Sequence, residues 1–247
     1  MASELVDPRI VKLIVFRAGD AAAPVAVRRG EFFSWIRREA EPVYNGDWDE
    51  HDIRVMDVPL PAHDAADGFI ITGSSSNVTE RAPWMLRVEE WLRTAVEKEI
   101  PVLGICFGHQ LVGEALGGKV TKNPRGREIG TVTVRRLAED SILDGLPATF
   151  TANCTHVESV VTLPTGAKLV AETDLEPNAV FTVGRAMKCV QFHPEIDGDA
   201  MRGYVEARAH LVNAEGLDAE AIRARSVDTP HGAETLRNFI RHVVHAP

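Results

Sequence analysis

One stretch, PVLGICFGHQLVGEALGG from Pro101 to Gly118, constrains the fold more than any other. A short apolar run, Pro101–Ile105, stops at Cys106 with no intervening loop. A helical pattern, Gly108–Leu116, starts at once and ends in Gly117-Gly118. That order predicts a buried strand turning sharply into a helix. Other short apolar runs precede it. Ile10–Phe16 reads as a first strand, Ile53–Val58 as a second ended by Pro59 and Pro61, and Phe69–Thr72 as a third running into Gly73-Ser74-Ser75-Ser76. Between them Gly30–Ala40 carries Phe33, Ile36 and Arg37 at helical spacing. Trp84–Lys98 repeats the pattern behind Pro83, a residue the first turn of a helix tolerates. Strands alternating with helices predict an α/β protein with a central, mostly parallel sheet flanked by helices.

After Lys119 the character changes. Gly130–Val134, Ser159–Leu163, Ala179–Val183 and Met187–Phe192 read as β-rich pieces between Gly and Pro turns, an extension that leans antiparallel. Three helical patterns follow from Gly198, the last over Gly232–Val244. No linker composition divides the chain. The expectation is one domain over residues 1–247, with the motifs within about 10–195 and a helical C-terminal extension over about 198–247.

Composition narrows the function. Lys+Arg is 27 against Asp+Glu 36, a net charge of −9, and no basic block provides the footprint of a nucleic-acid binder. No apolar run is long enough to span a membrane, and MASELVDPRI lacks the basic and apolar regions of a secretory signal. The expected location is therefore cytoplasmic. Cys106, Cys154 and Cys189 form neither a disulfide framework nor a zinc spacing, and the nine histidines show no ligand pattern, so no metal and no cofactor are expected.

Three segments carry chemistry. At the strand–helix turn a cysteine flanked by Gly104 and Gly108 takes the place of a nucleophile elbow, and the helix N-terminus favours thiolate. A buried packing cysteine fits the same local pattern. QFHPE, Gln191–Glu195, offers an imidazole for proton transfer and a carboxylate to orient it, with Pro194 holding His193 extended; a strand end with a surface acid reads the same way. DGFIITGSSSN, Asp67–Asn77, ends a strand in free backbone N–H groups that could serve an oxyanion hole, an ordinary turn or a phosphate loop. The P-loop pattern itself is absent.

Together, GICFGHQ, QFHPE and the upstream ITGS resemble the blocks of the class I, or triad, glutamine amidotransferase family. Within it, the chain resembles a stand-alone member, similar to the amidotransferase domain of GMP synthase and to γ-glutamyl peptidases. The resemblance implies a flavodoxin-like fold and assigns Cys106 as the nucleophile forming a γ-glutamyl thioester, His193 as base and then acid, and Glu195 as its orienting partner. It further implies an oxyanion hole from the N–H groups of Gly73 and Phe107, and substrate binding by Gln110. The segment Thr155-His156-Val157-Glu158-Ser159-Val160 resembles the family's S-H-x-D-x-V, with Glu158 replacing Asp and its role open. His109, Cys154 and Cys189 receive no catalytic role. The implied activity is hydrolysis of the glutamine side-chain amide, with ammonia passing to a separate synthase polypeptide, since the length leaves no room for a fused one. Cleavage of γ-glutamyl peptides or conjugates is the alternative, and a non-catalytic binding or regulatory role is the third reading.

Overall fold

Leu13 and Val15 face one side of strand β1 (Lys12–Arg17) and Ile14 and Phe16 the other, and all four are buried. A strand apolar on both faces belongs inside a sheet covered by helices on both sides. The computed structural model describes residues 11–244, and Ile10, expected to open this strand, lies outside the described residues.

The elements run β1, α1 (Ala23–Arg29), α2 (Phe32–Ala40), β2 (Asp47–Asp52), β3 (Gly68–Ile71), α3 (Pro83–Glu97), β4 (Val102–Ile105) and α4 (Phe107–Ala115). Then follow β5 (Lys119–Lys122), β6 (Glu128–Arg136), β7 (Thr149–His156), β8 (Glu158–Thr162), β9 (Ala167–Glu172), β10 (Val180–Val183) and β11 (Met187–Val190). Helices α5 (Gly198–Ala207), α6 (Ala209–Ala214), α7 (Ala219–Arg225) and α8 (Pro230–Phe239) close the chain, and α8 runs on as a wider π turn over Ile240–Val244. The main sheet is ordered β2-β1-β3-β4-β11-β10-β9-β6-β7, with β5 and β8 paired apart. From β2 to β11 neighbours are parallel; from β11 to β7 they are antiparallel. This is the expected α/β architecture, a mostly parallel half extended by an antiparallel one.

One core layer packs Leu13, Val15, Ile70, Leu103 and Ile105 against α2 and α8. The opposite layer packs Phe16, Phe69, Phe107 and Leu111 with Trp91 and Leu92 of α3. A third cluster joins α1 and α2 to α5, where Val25, Trp35, Met201 and Tyr204 meet.

Two readings of the sequence need correction. The second strand is Asp47–Asp52 rather than Ile53–Val58. As an edge strand paired only with β1, it holds its place with Asp49 against Lys12 at 3.4 Å and Asp52 against Arg17 at 2.8 Å, and charge on an edge discourages further pairing. The apolar residues after it form a loop whose carbonyls at Ile53, Val55, Met56 and Val58 accept from the guanidinium of Arg87, leaving Val55, Met56 and Val58 exposed. The C-terminal region holds four helices rather than three, and α1 precedes the expected α2.

Candidate active site

The turn from β4 into α4 gives Cys106 φ 52° and ψ −98°, an unusual backbone for a residue with a side chain. The two flanking glycines explain how it closes. A Cβ on Gly104 would lie 2.7 Å from the carbonyl of Gly108, and one on Gly108 would lie 2.6 Å from the carbonyl oxygen of Ile71. Any larger residue would push α4 off β3 and β4. The expected sharp strand-to-helix elbow is present, and it places the sulfur at the start of α4, where the positive helix end favours thiolate.

β11 lies beside β4 in parallel, with Val190 opposite Ile105, so the segment after β11 emerges next to the elbow. There His193 Nδ1 pairs with Glu195 Oε1 at 2.7 Å, and both residues are buried. The His193 backbone N–H donates to the carbonyl of Asn153 on β7 at 2.8 Å, and the Asn153 side chain donates to the carbonyl of Ile196 at 2.9 Å, fixing both ends of the loop. Phe32 lies nearly parallel to the imidazole, with ring centroids 6.1 Å apart. Cys106 and His193 interact electrostatically; Nδ1 of the imidazole is already taken by Glu195, and its buried Nε2 has no hydrogen-bond partner among the described residues.

Burial alone would raise the Cys106 thiol. The positive charge of His193 reverses the balance, and the thiol lies below its ordinary value. Burial works against protonated His193, but Glu195 first and then Cys106 hold its proton, and its pKa is raised. Both shifts favour a thiolate–imidazolium pair. Cys154 and Cys189 are buried without such help and are pushed well above the ordinary thiol value.

Gly73 follows β3, beside β4. A Cβ here would sit 2.7 Å from His193 Cε1, so the backbone reaches the imidazole only because it is glycine. Thr72 orients this peptide: its hydroxyl accepts from Ala18 N and donates to the Gly73 carbonyl, each at 3.0 Å. Among the described residues the N–H groups of Gly73 and Phe107 find no acceptor, and that of Phe107 opens a helix. Gln110 is turned into the framework, its amide nitrogen donating to the Glu158 carbonyl at 2.9 Å and to Gln191 Oε1 at 3.0 Å. Glu158 is distant from the imidazole in role: its carboxylate accepts Val78 N at 2.7 Å and the Thr79 hydroxyl, anchoring the loop that follows Gly73. His109 is fully buried, bonded to the Asn178 carbonyl at 2.8 Å and pushed down to about 3 by burial, so it is neutral.

Sequence reading missed Asn153, Arg208 and the grouping of Glu128 with Cys154 and His156. Asn153 gave no signal beyond its place in a β-rich segment. Arg208, at the end of α5, stacks over Tyr204 at 4.6 Å, has a buried Nη1 without a hydrogen-bond partner, and senses the charge of Cys106. Glu128, Cys154 and His156 come within 4.8 Å of one another, a grouping fit in principle for a metal. Hydrogen bonds account for it instead, because both ring nitrogens of His156 and both oxygens of Glu128 already have partners.

Comparison with known proteins gives a consistent picture. A model of the family described as glutamine amidotransferase class-I matches residues 46–208. The chain is 32% identical over 206 residues to γ-glutamyl peptidase 4 of Arabidopsis thaliana, covering 78% of this chain and 81% of that protein. It is 37% identical over 160 residues to a GMP synthase [glutamine-hydrolyzing] of Leifsonia xyli subsp. xyli, covering 62% of this chain and 30% of that protein, so it spans under a third of the synthase. A crystal structure of a glutamine amidotransferase from Thermotoga maritima superposes with a TM-score of 0.72 at 20% identity, over 96% of this chain and 99% of that one. This likeness bears out the expected flavodoxin-like fold. No helix among the described residues is long and apolar enough to cross a membrane.

Proposed function

Because the chain belongs to the class-I glutamine amidotransferase family, we propose that it hydrolyses a γ-glutamyl amide through a thioester on Cys106. The observation that carries this reading is the convergence of a strained, thiolate-favouring Cys106 with the His193–Glu195 pair. The thiolate attacks the side-chain carbonyl carbon. The oxyanion that forms is held by the N–H groups of Gly73 and Phe107, and protonated His193 gives its proton to the departing amine. Neutral His193 then takes a proton from water as it attacks the thioester. Glutamate leaves, and the thiolate and imidazolium are restored. Glu195 keeps Nδ1–H in place throughout. The acyl half carries an α-carboxylate, and half-buried Arg208, whose buried Nη1 has no partner, feels the charge of Cys106 and pairs with no acid among the described residues. The amide nitrogen of Gln110 is committed to the framework, so Gln110 would meet substrate only by exchanging those bonds.

Two leaving amines fit. Ammonia from glutamine, handed to a separate synthase, is the first reading. Release of a peptide or conjugate amine is the second, and it is favoured by one specific observation: the peptidase relative is matched over 81% of its length, the synthase over 30%. A cytoplasmic location accords with either. Glutamate release from glutamine and from a panel of γ-glutamyl peptides, without any partner, tests the choice. Slow glutamine turnover with poor peptide cleavage supports the synthase-dependent reading. Rapid peptide cleavage establishes the hydrolase. No turnover and no labelling of Cys106 by a glutamine-like electrophile would refute the thioester route altogether.

A further inference from the structure

One buried polar pair beside the sulfur has no part in that chemistry. His156 ends β7 with its side chain 1% exposed. Its Nδ1 lies 2.9 Å from the Glu158 carbonyl oxygen and its Nε2 3.0 Å from Glu128 Oε2. The Glu158 carbonyl is an acceptor, and so is Glu128 when ionised, the form its lowered pKa favours. Beside an ionised Glu128 a neutral imidazole, with one N–H, would leave its other nitrogen facing an oxygen; a doubly protonated ring satisfies both. Glu128 is arranged to be its anion. Its second oxygen accepts the Thr173 hydroxyl at 2.6 Å, and that hydroxyl is oriented by accepting the Glu176 N–H at 2.9 Å. Burial opposes charge on either member, but each holds the other ionised, with His156 raised and Glu128 lowered.

The pair stands next to the elbow. Thr155, adjacent to His156, has its carbonyl oxygen 3.9 Å from Cys106 Sγ, and the charges of His156 and Cys106 act on each other. The groups around the sulfur are His193 and Glu195 from the loop after β11, His156 and Cys154 from β7, and Arg208 from α5. Those around His156 are Glu128 from β6, Glu176 from the turn before β10, His109 from α4, and Cys106 itself.

We propose that His156, held as an imidazolium by Glu128, is a second and stationary cation that keeps the Cys106 sulfur ionised. It is a positioning residue. Both of its N–H groups are committed to fixed acceptors, so it moves no proton, whereas His193 has one nitrogen free for that work. The proposal rests on Cys106 being the nucleophile, and its test can separate the two. The rate of Cys106 carbamidomethylation by iodoacetamide, located by peptide mapping, is followed against pH for wild type, His156→Gln, Glu128→Gln and His193→Gln. Thiolate fraction, not turnover, sets this rate. Loss of one nearby charge should move the midpoint up by about one pH unit in His156→Gln, roughly tenfold less labelling on the acid limb, with a smaller shift the same way in Glu128→Gln. A folded His156→Gln with an unmoved midpoint, even one with lowered thermal stability, overturns the proposal. If that variant does not fold, the nitrogen NMR spectrum of histidine-labelled wild type decides. Two protonated ring nitrogens on His156 above neutral pH support the proposal, and one bare nitrogen refutes it. An unmoved midpoint in His193→Gln would instead refute the nucleophile–imidazole reading.

Discussion

Gly73→Ala adds a single methyl group, and the structure says where it lands. The new Cβ would lie 2.7 Å from His193 Cε1, against an ordinary contact of at least about 3.4 Å, so something must give by several tenths of an ångström. Gly73 itself is held by the Thr72 hydroxyl, which bridges Ala18 N and the Gly73 carbonyl. The imidazole is held by Glu195 on one nitrogen and by Asn153 through its backbone. Overpacking of this kind costs about 1–3 kcal/mol, and in a chain of this size each kcal/mol lowers Tm by about 2–4 °C. The larger effect falls on chemistry. Displacement of a reacting group by about 1 Å costs on the order of 100-fold in rate, so a shift of several tenths predicts a loss of about 10- to 100-fold in kcat/KM. Glutamate release would be measured beside the thermal transition and the pH profile of Cys106 alkylation. The expected result is a folded protein, a strongly reduced rate and an alkylation midpoint moved upward. Full activity with an unchanged profile would refute the claim that this glycine is the contact surface of the imidazole.

Cys106→Ser should abolish turnover by several orders of magnitude with the fold intact by circular dichroism, and a variant retaining a tenth of wild-type rate would contradict the thioester. His193→Ala should be nearly as damaging, with Glu195→Gln milder because an orienting carboxylate contributes less than the group that carries the proton; equal effects in a steady-state assay would contradict that division. For pH, a lowered thiol stays ionised below its usual range and a raised imidazole stays protonated above its own. Cys106 alkylation should therefore persist to lower pH than an ordinary thiol allows, while Cys154 and Cys189 react only in alkali, as mass spectrometry of the three peptides would show. Glu158→Gln should weaken the anchor on Val78 and Thr79 by about 1–2 kcal/mol, visible as a lower Tm.

Local features were readable from the chain. Gly104, Cys106 and Gly108 lie within five positions, and their meaning depends only on how a strand meets a helix. Apolar runs placed β1, β3, β4 and β11 because strands buried on both faces are mostly apolar, Lys188 of β11 being the exception that Asp140 neutralises. The edge strand Asp47–Asp52 was illegible for the opposite reason. Its charged residues answer to Lys12 and Arg17 across the sheet, so hydropathy pointed to the loop after it. That loop is shaped by Arg87, more than 25 positions away. Asn153, Arg208 and the pairing of His156 with Glu128 escaped notice on the same ground. Each acts through a contact that sequence proximity does not encode, and each residue type alone fits an ordinary strand or helix.

Long-range convergence was nevertheless implied once the strand order is known. β3, β4 and β11 are adjacent and parallel, with Ile71 opposite Gly104 and Ile105 opposite Val190. Their carboxyl ends therefore leave the sheet at one edge, and functional loops in parallel sheets gather at such an edge. Gly73 follows β3 by two residues, Cys106 follows β4 by one, and His193 follows β11 by three. Three segments spread over about 120 residues are brought together by topology alone, before any side chain is considered. The antiparallel half adds the support. β7 supplies Asn153 to hold the His193 loop, and β6 with β7 supplies Glu128 and His156. Were β11 antiparallel to β4, the same QFHPE sequence would leave the sheet at the opposite edge, and Cys106 would have no imidazole.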